Sequence, residues 1–510
     1  MNRQDILSSL KSRTPTVLIV GGGINGIGTF RDLTLQGVDT LLIDRADFCS
    51  GASAASSRMA HGGIRYLENG EFRLVREAVQ ERNRMIQNAP SLVQPLPTTI
   101  PIFKTFSGLL NAPLKFLGLL EKPSERGGLI IKIGLLFYDA FTGKTRAVPR
   151  HSFDGRRKAL QKFPRLNPRI RYAATYYDGI ILSPERLSLE LLLDAEKEGI
   201  HARALNYVSL ISVNKDTAIL HDEVSGLTLN IQPRLIINAA GPWIDKTNRT
   251  LGLETQYIGP TKGSHLVIDN PELRNAIGDH EFFFENNDGR IVLIFPLFDK
   301  VMIGTSDLPI KDPDTARCTD EEVEYFIEMV GRVFPGLKLG REQIVFRFSG
   351  VRPLAYSRAK NAGQITRDHH VHQDMLGSIP VYSLVGGKWT SFRAFSEQVT
   401  DLCLAFIGKQ RVANTSSLPI GAGKNTPVIK TDPHYTPGDI ATLARREKIV
   451  HLDDLLLRRT LLGYLGQLTR QRVDELARIL GDVLGWDEST KKGEVTRSLE
   501  ILSDKHGVHL

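Results

Sequence analysis

A run of four apolar residues, Val17 to Val20, stops at Gly21-Gly22-Gly23 and continues through Ile24-Asn25-Gly26 into a segment, Thr29 to Gly37, with helical apolar spacing and a glycine stop. Four residues are too few for a helix, so the run reads as a buried parallel strand feeding a helix. The glycines have separate tasks. Gly21 makes the tight turn, Gly23 lets backbone approach a pyrophosphate lying on the helix N-terminus, and Gly26 lets helix and strand pack closely. Leu41-Leu42-Ile43 then ends on Asp44, where a carboxylate can bind a ribose hydroxyl, with a shorter reach than the commoner glutamate. A bare GxGxxG is weak evidence. Here strand, glycines, helix and acidic strand end agree on a dinucleotide site, against the alternative of a glycine-rich loop in an ordinary α/β core.

The rest of the chain favours a flavin that stays bound. No second GxGxxG unit appears downstream, and the next segment is a polar, Ser-rich loop instead of another βα repeat. That loop, Ser56-Ser57-Arg58-Met59-Ala60-His61-Gly62-Gly63-Ile64-Arg65-Tyr66, delivers a histidine and cations beside the nucleotide unit.

Together these blocks resemble the FAD-dependent glycerol-3-phosphate dehydrogenase family, membrane-associated flavoenzymes of the glycine-oxidase and amino-acid-oxidase fold group. The likeness continues through Glu71 to Glu77, Ile236 to Trp243, Pro260 to His265, Ile303 to Asp307, Ser349 to Leu354, Gly386 to Arg393 and His451 to Thr460. Nine blocks in order are far more specific than any one of them. The resemblance implies an α/β fold: a Rossmann-like FAD-binding domain, an antiparallel-sheet substrate domain and a C-terminal helical domain. Residues 1–100 and 172–256 are expected to form the two parts of the FAD domain, with 101–171 a basic apolar insertion between them. Residues 257–380 carry the substrate sheet, 381–413 return to the FAD domain, and leucines at helical spacing fill 414–510.

With 510 residues, 41% hydrophobic and 24% charged, the chain can bury a large core and hold two or three domains. Cys49, Cys318 and Cys403 have no metal-like spacing and are too few for a disulfide framework, which points to a reducing compartment. No run of eighteen apolar residues occurs, and the N-terminus lacks the apolar stretch of a signal peptide, so neither secretion nor a membrane span is expected. The charge is unevenly placed. Residues 101–171 hold fifteen Lys plus Arg against four Asp plus Glu, whereas the whole chain is only +8. Apolar clusters among those cations suit an anionic membrane surface; the alternative is core helices with a solvated basic rim. The resemblance favours the membrane, and with it a cytoplasmic protein held peripherally on the inner membrane, while leaving a homodimer open. A nucleic-acid partner is not expected, because the cations are mixed with Leu, Ile and Gly, with few of the exposed aromatics that stack bases.

Oxidising a secondary alcohol by flavin needs a hydride acceptor, a group that takes the hydroxyl proton, and cations that hold an anionic substrate. Histidine's ordinary pKa suits His61 to proton transfer near neutrality, and the glycines after it give substrate room. The resemblance places it at the flavin face as the base; the plainer reading is a histidine that orients its loop. The resemblance also puts Arg65, Tyr66, Arg352 and Lys388 around the substrate, with Arg352 and Lys388 contributing to catalysis. Arginine offers a planar fork that matches phosphate, and lysine a compact charge. His265 resembles another substrate-side position, Ser56 and Ser57 look like flavin or pyrophosphate contacts, and Thr390 is placed to offer its backbone N–H to the flavin ring. Thirteen histidines include no i, i+4 pair with a carboxylate partner, so no metal is expected.

One departure bears on substrate. Where the family carries a paired-acid block after Tyr-Tyr-Asp, this chain has Tyr176-Tyr177-Asp178-Gly179 and then only Glu185. The expected reaction is oxidation of sn-glycerol 3-phosphate to dihydroxyacetone phosphate by bound FAD, with electrons passed to quinone. The alternatives are a longer polyol phosphate such as a tetritol phosphate, an oxidase using oxygen, and, outside the class, a flavin-containing RNA-modifying or RNA-binding protein.

Overall fold

A computed structural model describes residues 2–64, 71–105, 127–142, 147–286, 291–357, 368–421 and 430–510. Among these residues the strands fall into sheets of six, ten and three strands. The six-stranded sheet runs in the order His370–Leu376, Ile379–Val385, Leu235–Asn238, Val17–Val20, Thr40–Ile43 and Ala202–Leu205. All its pairings but the terminal hairpin are parallel, with Val17 opposite both Leu235 and Thr40. Short apolar strands buried on both faces are what parallel pairing under helices requires. The helix Ile24–Leu35 covers one part of this sheet beside the helices Phe392–Ile407 and Pro184–Glu196, and Ile19, Phe30, Leu187, Ile237 and Phe395 meet in one core.

The ten-stranded sheet is built on Thr261–Ile268, which pairs antiparallel with Lys300–Gly304 on one side and with Ile344–Arg352 on the other. Two of its strands come from outside residues 257–380. Val93–Ile102 and Tyr172–Ile181, assigned from sequence to the margins of the FAD segments and the insertion, form a ten-residue antiparallel pair within this sheet. The first tolerates Pro95, Pro97 and Pro101 because only Thr98 and Thr99 also pair on its other edge, with Glu281 and Phe282. The hairpin His370 to Val385, split between two domains by the sequence boundaries, belongs wholly to the six-stranded sheet.

The C-terminal part is helical, with Pro437–Arg446, Arg470–Leu484 and Glu488–His506 packing behind the large sheet. Phe346 stacks on His506 at 4.2 Å and lies 4.6 Å from the ring of Tyr464. Ion pairs join this domain to the nucleotide-binding side. Asp47 accepts from Arg458 and Arg459, and Arg186 makes two bonds, of 2.6 and 2.7 Å, to Glu447. No helix among the described residues is long and apolar enough to cross a membrane.

Candidate functional site

The glycine loop is shaped by close approach. Gly21 has φ +114°, and a Cβ there would sit 2.5 Å from the carbonyl oxygen of Ala239; on Gly26 it would lie 1.9 Å from the carbonyl oxygen of Gly21. Any side chain at either position would wedge the strand from its helix. Gly23 caps that helix without a side-chain bond, and Ser53 Oγ accepts from the Ile24 N–H at 2.9 Å. Asp44, at the end of the second strand, accepts from the Gly22 N–H at 2.6 Å and the Ala46 N–H at 2.8 Å. Burial pushes its carboxyl up to about 6, against the pull of those two amides. Asn25 Oδ1 and His265 Nδ1 are buried and find no hydrogen-bond partner among the described residues. A glycine turn packed tightly against its helix, a helix N-terminus capped by no side chain of its own N-cap residue, and an acid at the end of the second strand fit a dinucleotide.

A cavity of about 1630 Å³ runs from this loop into the large sheet. Pockets for one drug-sized ligand are roughly 300–1,000 Å³, so this one suits a dinucleotide together with a small substrate. Gly21, Gly23, Asp44, Ser56, Ser57, His61, His265, Arg352 and Lys388 all line it. Gly26 and Thr390 stand behind the lining. Thr390 is buried and donates its hydroxyl to the carbonyl of His61 at 3.1 Å, which helps to hold the histidine turn. Arg65 and Tyr66 lie outside the described residues.

His61 sits between two anchors. Its own carbonyl takes the Thr390 hydroxyl, and the next amide, Gly62 N–H, donates to Asp178 Oδ1 at 2.9 Å. Arg352, at the end of its strand, is held by Thr305 Oγ1 (2.9 Å), the Ser306 carbonyl (3.0 Å) and Asp307 Oδ1 (3.1 Å). Its guanidinium would clash with any Cβ on Gly263, the glycine two residues before His265. Lys388 is half-buried, and its charge reaches Glu77 and His369.

His265 stacks on Phe348 at 4.9 Å with the rings 9° apart, and its Nε2 meets Ser57 Oγ at 2.8 Å. Burial, reinforced by Arg352 and Arg58, pushes its pKa down to about 3. It is therefore a neutral imidazole near neutral pH. Ser57 is turned to this histidine, and Ser56 accepts from the Arg58 N–H at 3.2 Å. Sequence reasoning missed Ser53, Thr305 and Asp178. The last was in view within Tyr176-Tyr177-Asp178, but its partner lies 116 residues away in sequence. Glu185, the surviving acid of the altered block, faces Arg58 at 3.5 Å with both side chains buried, so it serves packing there.

Residues 16–393 match the family model of FAD dependent oxidoreductases, and residues 408–491 match the C-terminal domain of alpha-glycerophosphate oxidase. A glycerol-3-phosphate dehydrogenase of Synechocystis is 36% identical over 406 residues, covering 76% of this chain and 69% of that protein. The chain belongs to the FAD-dependent glycerol-3-phosphate dehydrogenase family. A D-erythritol 1-phosphate dehydrogenase of Brucella abortus is 30% identical over 395 residues, covering 76% of this chain and 72% of its own. Among solved structures, the FAD complex of the Bacillus halodurans glycerol-3-phosphate dehydrogenase superposes with TM-score 0.74 at 20% identity, over 98% of this chain and 97% of that one. Glycine oxidase from Geobacillus kaustophilus shares the fold at TM-score 0.51 and 17% identity, covering 80% and 98% of the two chains. As a member of this glycerol-3-phosphate dehydrogenase family the chain is a flavoprotein, and its cofactor is FAD.

Proposed function

We propose that the chain oxidises sn-glycerol 3-phosphate to dihydroxyacetone phosphate and passes the electrons to a membrane quinone. The observation that carries this reading is the shared cavity, which sets His61, Arg352 and Lys388 in the same space as the dinucleotide cradle. The Synechocystis relative named glycerol-3-phosphate dehydrogenase supports the choice of substrate. Bound FAD supplies the acceptor for the hydride that leaves the carbinol carbon. His61 takes the hydroxyl proton, with the turn that carries it pinned by Thr390 and Asp178. Arg352 sets its positive charge toward the phosphate, its plane fixed by Thr305, Ser306 and Asp307. Lys388 opposes the negative charge that develops on the substrate oxygen. In this reading Arg65 and Tyr66 complete the substrate side, and His265 contributes a neutral hydrogen-bonding group.

A second reading, a longer polyol phosphate, is favoured by one observation: Glu185 is turned into the core against Arg58, leaving the substrate side without the paired acids. The Brucella relative named D-erythritol 1-phosphate dehydrogenase fits it. Anaerobic mixing of the yellow holoprotein with glycerol 3-phosphate and with tetritol phosphates decides between them. Rapid bleaching of the visible flavin band by glycerol 3-phosphate alone is the expected result. Bleaching only by a tetritol phosphate would move the assignment to that substrate, and bleaching by neither would overturn both.

The membrane contact is assigned to the helix Gly128–Thr142. It buries Ile131, Leu135 and Tyr138 but leaves Leu129, Ile133, Leu136 and Phe137 between 41 and 55% exposed on the other face. Exposed Lys132, Arg150, Arg156, Arg157 and Lys158 belong to the same segment. Apolar residues at i, i+4, i+7 and i+8 among cations suit the headgroup region of an anionic bilayer. Replacing Leu136 and Phe137 together by Asp is expected to release the protein from anionic vesicles in a flotation assay while FAD stays bound. Undiminished flotation would place the contact elsewhere.

A further inference from the structure

Tyr138 lies on the inward face of the Gly128–Thr142 helix, and its surroundings are those of a functional contact as much as of a core residue. With Ile131 and Leu135 it packs against Leu74, Val75 and Val79 of the helix Phe72–Asn88. Its ring meets Tyr176 edge-on at 5.6 Å. Its hydroxyl donates to Asp178 Oδ1 and accepts from Arg82 Nη1 at 2.8 Å. The same Asp178 oxygen accepts the Gly62 N–H at 2.9 Å and lies 3.4 Å from Arg82 Nη1, which also donates to the Tyr177 carbonyl at 2.7 Å. Tyr138, Asp178 and Arg82 are each at most 2% exposed. Contact with the turn is also direct, since a Cβ on Gly62 would stand 2.1 Å from the Tyr138 hydroxyl oxygen.

We propose that Tyr138 and Asp178 are positioning residues for His61, so that the seating of the Gly128–Thr142 helix sets the geometry of the proton acceptor. This rests on His61 being the base. The residue after His61 has a single backbone donor, and that donor ends on a carboxylate whose other contacts come from two helices, Tyr138 on Gly128–Thr142 and Arg82 on Phe72–Asn88. Burial drives the Asp178 carboxyl upward, while Arg82, the Tyr138 hydroxyl and the Gly62 amide pull it down. Tyr176 and Glu281 face the same cluster, and Glu281 is itself pushed up to about 8 by burial. Removing the Tyr138 hydroxyl therefore weakens the hold on an oxygen shut away from solvent, and the turn above it slackens. The helix that shows apolar side chains to solvent on one face is thus tied through the other to the residue that takes the proton.

The test uses full-length holoprotein in two variants, Tyr138→Phe and Asp178→Asn, with two readouts. In anaerobic stopped flow at saturating polyol phosphate, Tyr138→Phe is expected to slow flavin reduction about tenfold, the half-saturating substrate concentration moving less than about twofold, since misplacing a reacting group costs rate more than binding. Asp178→Asn should be slower still, and the double variant no slower than Asp178→Asn alone, because both act on one contact. Hydrogen exchange of the peptide spanning residues 58–64 is expected to quicken in both variants with FAD content unchanged. Wild-type reduction rates in Tyr138→Phe, an effect confined to half-saturation, or unchanged exchange would overturn the proposal. If the unmodified protein is not reduced by any polyol phosphate, the functional reading falls, and the exchange measurement still decides whether Tyr138 holds the turn.

Discussion

His61→Ala is expected to slow flavin reduction by about 10²–10⁴-fold, the range a positioned general base supplies, while FAD stays bound. His61, His265 and His506 line the cavity; His506 is stacked on Phe346 and bonded to the Arg347 carbonyl, and the structure separates the other two. His265 is buried, its Nε2 is engaged with Ser57 Oγ, and its pKa is pushed down to about 3, so at neutral pH an imidazolium there is strongly disfavoured. A base must be able to hold the proton it takes. His61 is set in the turn Ala60 to Gly63, where Thr390 and Asp178 fix the backbone, and the residue lines the cavity. The residues proposed to cradle the flavin are others, Gly21, Gly23, Gly26 and Asp44, which is why cofactor content should survive the substitution. Anaerobic stopped flow with the substrate that reduces the unmodified protein checks this. Near-normal reduction by the Ala variant would remove His61 as the base and reduce it to a loop residue.

The cofactor half of the fold was legible because its signals are local. Strand, glycine turn and helix occupy Val17 to Leu35 without interruption, and the geometric demand at Gly21 and Gly26 is met within the unit and by Ala239 on the adjacent strand. The return strands Leu235–Asn238 and Ile379–Val385 were readable for the same reason, as short apolar runs ending in small residues. What escaped was long-range pairing. Tyr172–Ile181 alternates little and carries no mark of its partner, Val93–Ile102, some eighty residues earlier, whose prolines argue against a strand until its sparsely paired edge is seen. The site shows the same division. His61, Arg352 and Lys388 stand in recognisable blocks, whereas Thr305, Asp178 and Tyr138 acquire their meaning only from the segments that fold against them. Tyr138 lies in an apolar run where a tyrosine raises no expectation. His265 illustrates a further limit: its position was readable, but its neutral state depends on burial and on the neighbouring charges of Arg352 and Arg58.

Asp47→Ala is expected to lower stability by about 3–5 kcal/mol, the cost of leaving buried cations without their counter-ion. Three residues past the ribose-side acid, Asp47 is fully buried and accepts from Arg458 (2.5 Å), from Arg459 (2.6 and 2.8 Å) and from Asn206 (3.0 Å). Arg459 has no exposed side-chain surface, so removing the carboxylate strands a charge that cannot reach water. The two arginines belong to the C-terminal domain and Asp47 to the loop after the Thr40–Ile43 strand, so this contact, with Arg186–Glu447, clamps the helical domain onto the nucleotide side. Burial alone would raise the Asp47 carboxyl, but the two arginines outweigh it and hold the group well below the usual range. Its contribution is therefore present in full above about pH 4, where the unfolded carboxyl ionises, and is lost as pH falls further. Urea unfolding followed by fluorescence at pH 7 should show a clearly lowered midpoint for the variant, and the gap to the unmodified protein should narrow in acid. Equal midpoints at pH 7 would mean that the apolar contacts of Phe346 and Tyr464 hold the domain without the ion pairs. Because the same loop presents Asp44, loss of the clamp should also weaken FAD retention, a consequence that a purely peripheral ion pair would not have.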